Sequence, residues 1–131
     1  MHPGKDRRRH PRFVLPSMYT EVEARSLESE KFEWKGHAYD LSEGGMRFEL
    51  DRPIKPGTQI AVRVQLPGHQ HLKVTDRRPV HVFANVVWID EDDIEQGGPI
   101  RMACVFSRFV RPGDEARLRS RLQSGRYSMA A

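Results

Sequence analysis

Two short segments hold the residue types best suited to chemistry. The first is Arg8-Arg9-His10-Pro11-Arg12, with Arg7 directly in front and Lys5 just ahead. The second is Asp40-Leu41-Ser42-Glu43-Gly44-Gly45, an acid, a hydroxyl and a glycine pair leading into an alternating run. Guanidinium groups so crowded call for an anionic partner, and nucleic acid, phospholipid and a small phosphorylated ligand all satisfy that. Taken singly, an arginine-rich N-terminus is most often a solvated tail. An Asp-x-Ser before Gly-Gly is ordinarily an Asx or Ser turn entering a strand.

Other candidates are weaker. His69 and His71 could share a strand face as metal ligands, but no third ligand is obviously supplied, and a turn position after Pro67-Gly68 favours solvated rings. No metal is expected. Cys104, between Ala103 and Val105, reads as core rather than nucleophile. Trp88 reads as a barrel-core residue by default and as a base-stacking platform otherwise. No nucleophile–base pair, carboxylate dyad or phosphate loop emerges from linear spacing, so catalysis is not expected.

The elements that must position these residues are mostly strands. A chain of 131 residues with 37% apolar content suits one solvated domain. No apolar run approaches the roughly 20 residues of a spanning helix. The arginine-rich start has no apolar stretch behind it, so no secretory signal is expected. A single cysteine excludes an internal disulfide and suits a reducing cytoplasm. The net charge of +4 is unevenly spread, basic near Arg7–Arg12 and acidic at Asp90, Glu91, Asp92, Asp93 and Glu95. Met46, Phe48 and Leu50 alternate with Arg47 and Glu49, and Ile60, Val62, Val64 and Leu66 repeat that period of two. Extended stretches are also expected at 13–25, 32–41, 80–89 and 100–106, with turns at Pro56-Gly57 and Pro67-Gly68 and an acidic loop at 90–99. Strands so spaced suggest a barrel or a sandwich. Only the end is helical in pattern: Pro112-Gly113, then Asp114 and Glu115, then Leu118 and Leu122 one turn apart.

In this order, about thirty residues apart on an all-β pattern, the R-x-x-x-R and D-x-S-x-x-G segments resemble the two signature motifs of the PilZ domain family. Pro56-Gly57-Thr58, Val86-Val87-Trp88 and Cys104-Val105-Phe106 extend the likeness over most of the chain. The resemblance implies an all-β fold: a six-stranded antiparallel split β-barrel with a C-terminal α-helix. It divides the chain into a flexible basic arm at 1–12, a barrel at 13–111, a helix at 112–124 and a tail at 125–131. It also implies binding of cyclic di-GMP at the barrel mouth, with the signal passed to an unidentified protein effector in motility, chemotaxis or exopolysaccharide control. Arg7, Arg8, Arg12, Asp40, Ser42 and Gly45 would form the site, with Arg9, Gly44 and Trp88 as further contacts.

These assignments agree with elementary recognition chemistry. A guanidinium fork matches the adjacent O6 and N7 acceptors of guanine. Arg8 and Arg12, four residues apart in extended chain, span about 13 Å. The Asp40 carboxylate complements the N1–H and N2–H donors. Ser42 adds a small donor and acceptor, and Gly45 lets a base approach the backbone or lets φ turn positive. Arg7 before R-x-x-x-R resembles the arrangement suited to an intercalated cyclic di-GMP dimer. Two departures stand out: Ala103 where the family often has glycine, and the acidic loop, which would repel phosphate if folded over the mouth. The alternatives are a nucleotide-blind interaction module of the same fold and a basic nucleic-acid-binding barrel. Specific nucleic-acid binding is not expected.

Overall fold

Alternation of apolar and polar side chains commits most of the chain to strands. The computed structural model describes residues 11–14, 20–66 and 78–123. Its strands are β1 (Phe13–Val14), β2 (Glu21–Ser26), β3 (Trp34–Leu41), β4 (Gly45–Leu50), β5 (Gln59–Val64), β6 (Val80–Ile89) and β7 (Ile100–Phe109). Two helices, α1 (Glu91–Gln96) and α2 (Asp114–Leu122), follow β6 and β7 respectively. Met46, Phe48 and Leu50 of β4 point inward, as do Val80, Val82, Ala84 and Val86 of β6.

Every pairing is antiparallel, and the order is β1-β3-β2-β5-β6-β7-β4 with β3 also bonded to β4. That last pairing closes six strands into a barrel, the architecture expected from the sequence. Closure gives each of these strands a partner on both sides, and the end of β3 that β2 leaves takes up the two-residue β1. One apolar cluster fills the interior, and Leu118 and Leu122 of α2 belong to it.

The 90–99 stretch is not simply a loop. Asp90 caps α1, its Oδ1 accepting from the backbone N–H of Asp92 (3.0 Å) and Asp93 (3.2 Å), and Gly97 ends the helix in the left-handed region. Three acids in the first turn suit the positive end of the helix dipole. Asp90 and Asp93 both bind Arg101 of β7, at 2.9 and 2.8 Å.

Helix α2 is fixed to the start of β6 through buried Asp114. Its carboxylate accepts from the His81 backbone N–H (3.0 Å) and pairs with Arg111 (3.1 Å) and Arg117 (3.3 Å). Arg111 and Arg117 in turn donate to the carbonyls of Pro79 and Arg78. The carboxylate thus organises a network that spans helix, strand and connecting chain.

His81 sits among cations and meets the Phe32 ring edge-on at 5.3 Å. Burial above all, then the charges of Arg25, Arg111 and Arg63, hold its pKa below the ordinary 6.5, with Asp114 opposing. The unfolded chain therefore takes up this proton more readily than the fold does. Stability contributed by neutral His81 is complete above 6.5 and is lost as pH falls through the lower folded value. Melting temperature should consequently drop more steeply from about pH 7.5 to about pH 5 in the parent than in His81→Phe. Parallel slopes in differential scanning calorimetry would remove His81 as the cause.

Candidate functional site

The edge of β3 changes partner along its length. Trp34–His37 pair with β2, whereas Asp40 and Leu41 pair with Val14 and Phe13 of β1. This second pairing carries Arg12 to the Asp40 carboxylate, with Nη1 3.8 Å from Oδ2. On the opposite edge Ala38 faces Phe48, yet Asp40 faces Arg47 because the register shifts at Tyr39. An unbroken register would set Asp40 against Met46. The bulge re-aims the acid toward the outward-pointing Arg47, whose Nε also lies 3.8 Å from Oδ2.

Asp40 is only 9% exposed. Both guanidinium contacts are ion pairs longer than hydrogen bonds. Its Oδ1 is buried with no hydrogen-bond donor among the described residues, and the buried Nε–H of Arg12 has no acceptor among them. Among the described residues the carboxylate is therefore neutralised by charge and still short of donors. A buried oxygen in that condition costs about 1–3 kcal/mol, more for a charged group, unless something donates to it.

The Ser42 hydroxyl organises the hairpin between β3 and β4. Its Oγ accepts from the N–H groups of Gly44 and Gly45, both at 3.1 Å, while the Ser42 N–H donates to the Gly45 carbonyl at 2.9 Å. The turn reading of Asp-x-Ser-x-x-Gly is thus realised within the site itself. Gly45 carries a different burden from the one expected. It does not have positive φ, and a Cβ there would run into the carbonyl oxygen of Cys104. The glycine lets β4 close against β7.

These residues line one groove of about 520 Å³, together with Arg47, Met46, Val87, Ala103, Cys104, Val105 and Phe106. Arg12, Asp40, Ser42, Gly44 and Gly45 are thereby brought together as the sequence suggested. Arg7, Arg8 and Arg9 lie outside the described residues, as do His69 and His71. Trp88 is 48% exposed, so it is not core, and it lines an adjoining depression rather than the Asp40 groove. Cys104 is core: burial pushes its thiol up to about 12, which leaves it protonated and inert at neutral pH. Ala103 lines the groove and pairs with Arg47.

Arg47, Val87 and Val105 were not anticipated at the site. Arg47 was visible as an outward residue of β4, but its match with Asp40 depends on the bulge. The two valines are about half exposed and give the groove an apolar wall. Glu43 of the turn reaches Arg119 of α2 at 3.2 Å, linking the hairpin to the C-terminal helix. Among the described residues no group of three or more His, Cys, Asp or Glu could hold a metal ion, and no helix is long and apolar enough to cross a membrane.

A closed barrel with its acid–guanidinium groove beside a D-x-S-x-x-G hairpin defines the class. The PilZ domain family model matches residues 6–124, and the chain belongs to that family. Its fold is similar to that of the Bacillus subtilis inhibitor of motility MotI/DgrA, with a TM-score of 0.62 and 20% identity over 95% of this chain and 57% of that one. It is also similar to Escherichia coli YcgR in complex with c-di-GMP, with a TM-score of 0.62 and 21% identity over 89% and 45% of the two chains. The K. pneumonia MrkH–c-di-GMP complex gives a TM-score of 0.63 and 18% identity over 90% and 51%. The chain spans about half the length of these three proteins, and at such identities the likeness is one of fold. No curated protein sequence matches it.

Gly45→Ala should lower stability by about 1–3 kcal/mol, as overpacking does, because the obstacle is backbone rather than a movable side chain. Urea titration checks this. A midpoint equal to the parent's would mean that β4 and β7 are not in such close contact.

Proposed function

We propose that this chain is a cyclic di-GMP receptor that passes the signal to a protein partner, without catalysis, in the bacterial cytoplasm. One observation carries the reading: the nearly buried Asp40 carboxylate, flanked by Arg12 and Arg47 and short of donors among the described residues. Guanine supplies two adjacent N–H donors for such an acid and two acceptors for a guanidinium. A site of arginines alone would take any polyanion; the acid among them selects for a base that donates. Family membership and the two relatives described as c-di-GMP complexes support the same ligand. Arg8 and Arg9 add charge from the neighbouring segment. Gly44, Gly45 and Ser42 shape the floor, the Ser42 hydroxyl acting through the turn, where it also donates to the Gly45 carbonyl at 3.3 Å.

Calorimetry should show cyclic di-GMP binding far more tightly than cyclic di-AMP, whose adenines present an amine where guanine presents O6. Asp40→Asn should cost about 1.5–3 kcal/mol, the value of hydrogen bonds to a charged group, and Arg12→Ala and Arg47→Ala a similar amount. All three should remain folded, since none fills the core. Equal affinity for the two nucleotides, or parental binding by Asp40→Asn, would refute the guanine site.

The finer reading concerns stoichiometry. Four stacked guanines and four phosphates need more cationic contact than one molecule does, and Arg7 beside Arg8 offers it. The ligand is accordingly an intercalated dimer, two molecules per chain. Titration should give a ratio of two in the parent and one in Arg7→Leu; a parental ratio of one would leave simple one-to-one binding.

A further inference from the structure

Beside the Asp40 groove lies a second depression of about 560 Å³, and Val87 is the one residue lining both. Its remaining walls include Pro56, Trp88, Glu91 and Asp92. A register shift between Val86 and Trp88 breaks the alternation of β6, so Val87 and Trp88 are both turned outward, 54% and 48% exposed. Bulges often re-aim side chains in this way near functional surfaces. An exposed tryptophan next to an exposed valine is an apolar patch with a dominant anchor, the residue type most enriched at the centre of protein interfaces.

The charge of the rim selects the partner. Arg101 occupies Asp90 and Asp93, but Glu91 and Asp92 are exposed and meet no cation among the described residues. The Val87–Trp88 patch, set in an otherwise polar depression beside two carboxylates without a described cation, repels anionic lipid and nucleic acid. It attracts a cationic chain, whose ammonium or guanidinium groups also find the face of the Trp88 ring.

We propose that the Trp88 depression docks a basic segment of a partner protein, a Lys- or Arg-rich stretch with one bulky apolar anchor packed on Val87 and Trp88. The proposal rests on the receptor reading only in making that partner the recipient of the signal. Through Val87, nucleotide in one groove and partner in the other would be immediate neighbours.

The test uses the full chain and two synthetic peptides, one Lys-rich with a single central isoleucine, the other with every Lys replaced by Glu. The indole N–H resonance of Trp88, assigned with Trp34→Phe, reports occupancy by nuclear magnetic resonance. The Lys peptide should shift that resonance saturably and the Glu peptide should not. Glu91→Lys combined with Asp92→Lys should weaken Lys-peptide binding by at least about tenfold, with Glu91→Gln plus Asp92→Asn in between. Cyclic di-GMP affinity should be unchanged in both double variants. No saturable shift, or equal shifts from both peptides, would overturn the proposal. So would self-association of the parent that charge reversal abolishes, which would give the face to a second copy, or a Trp88 shift caused by anionic vesicles. Absence of nucleotide binding by the parent, with the peptide result intact, would count against the receptor reading alone.

Discussion

Strand β3 must satisfy two edges with three partners, and the site follows from how it does so. β2 takes one edge as far as His37, and the Ala38 N–H then donates to the Thr20 carbonyl at 2.9 Å as β2 departs. The freed backbone at Asp40 and Leu41 takes up β1. The other edge belongs throughout to β4, which closes the barrel, and the bulge at Tyr39 absorbs the resulting change in register. Asp40 therefore stands where three strands converge, and two of them deliver a guanidinium to it.

The same convergence explains why the acid is incompletely satisfied. A carboxylate so nearly buried loses most of its hydration, and among the described residues two charges at 3.8 Å offset that loss without replacing the hydrogen bonds. The neighbouring hairpin has no such deficit, since Ser42 caps its own turn and Gly45 seats β4 on β7. The C-terminal helix is held by the satisfied Asp114 network and by two leucines in the core. Among the described residues, buried polar atoms without a hydrogen-bond partner are not confined to the groove, since Arg63 Nε and His81 Nε2 share the condition of Asp40 Oδ1 and Arg12 Nε.

Most of this fold was legible because its strands obey a simple period. Met46-Phe48-Leu50 and Val80-Val82 alternate cleanly, and Leu118 with Leu122 marks the helix. Asp40, Ser42 and Gly45 were legible as a motif, but the physical office of each was not. Gly45 is required by a contact between strands about sixty residues apart, and a linear reading offers only its local freedom. Arg47 was hidden by a one-residue bulge that no composition announces. Helix α1 was legible in principle: Asp90 as cap, three acids in the first turn and Gly97 beyond. The glycine pair and the density of charge favoured a loop, while Arg101, whose pairing relieves that charge, sits on the next strand.

The net charge of +4 conceals two surfaces of opposite sign meeting at Val87. On one side Arg12 and Arg47 surround a single acid; on the other Glu91 and Asp92 stand without a described cation. The acids of α1 do not line the Asp40 groove, and its two most engaged carboxylates are neutralised by Arg101. An acidic helix therefore stands next to a groove lined by guanidinium groups, with Val87 between the two depressions. Val87 faces outward as the alternation of β6 requires, and it is Trp88 that the β6 bulge turns outward beside it. A regular strand would have turned Trp88 inward and taken its ring out of the second depression. One irregularity in β3 thus sets Asp40 between two guanidinium groups, and one in β6 sets the Trp88 ring beside the acids of α1.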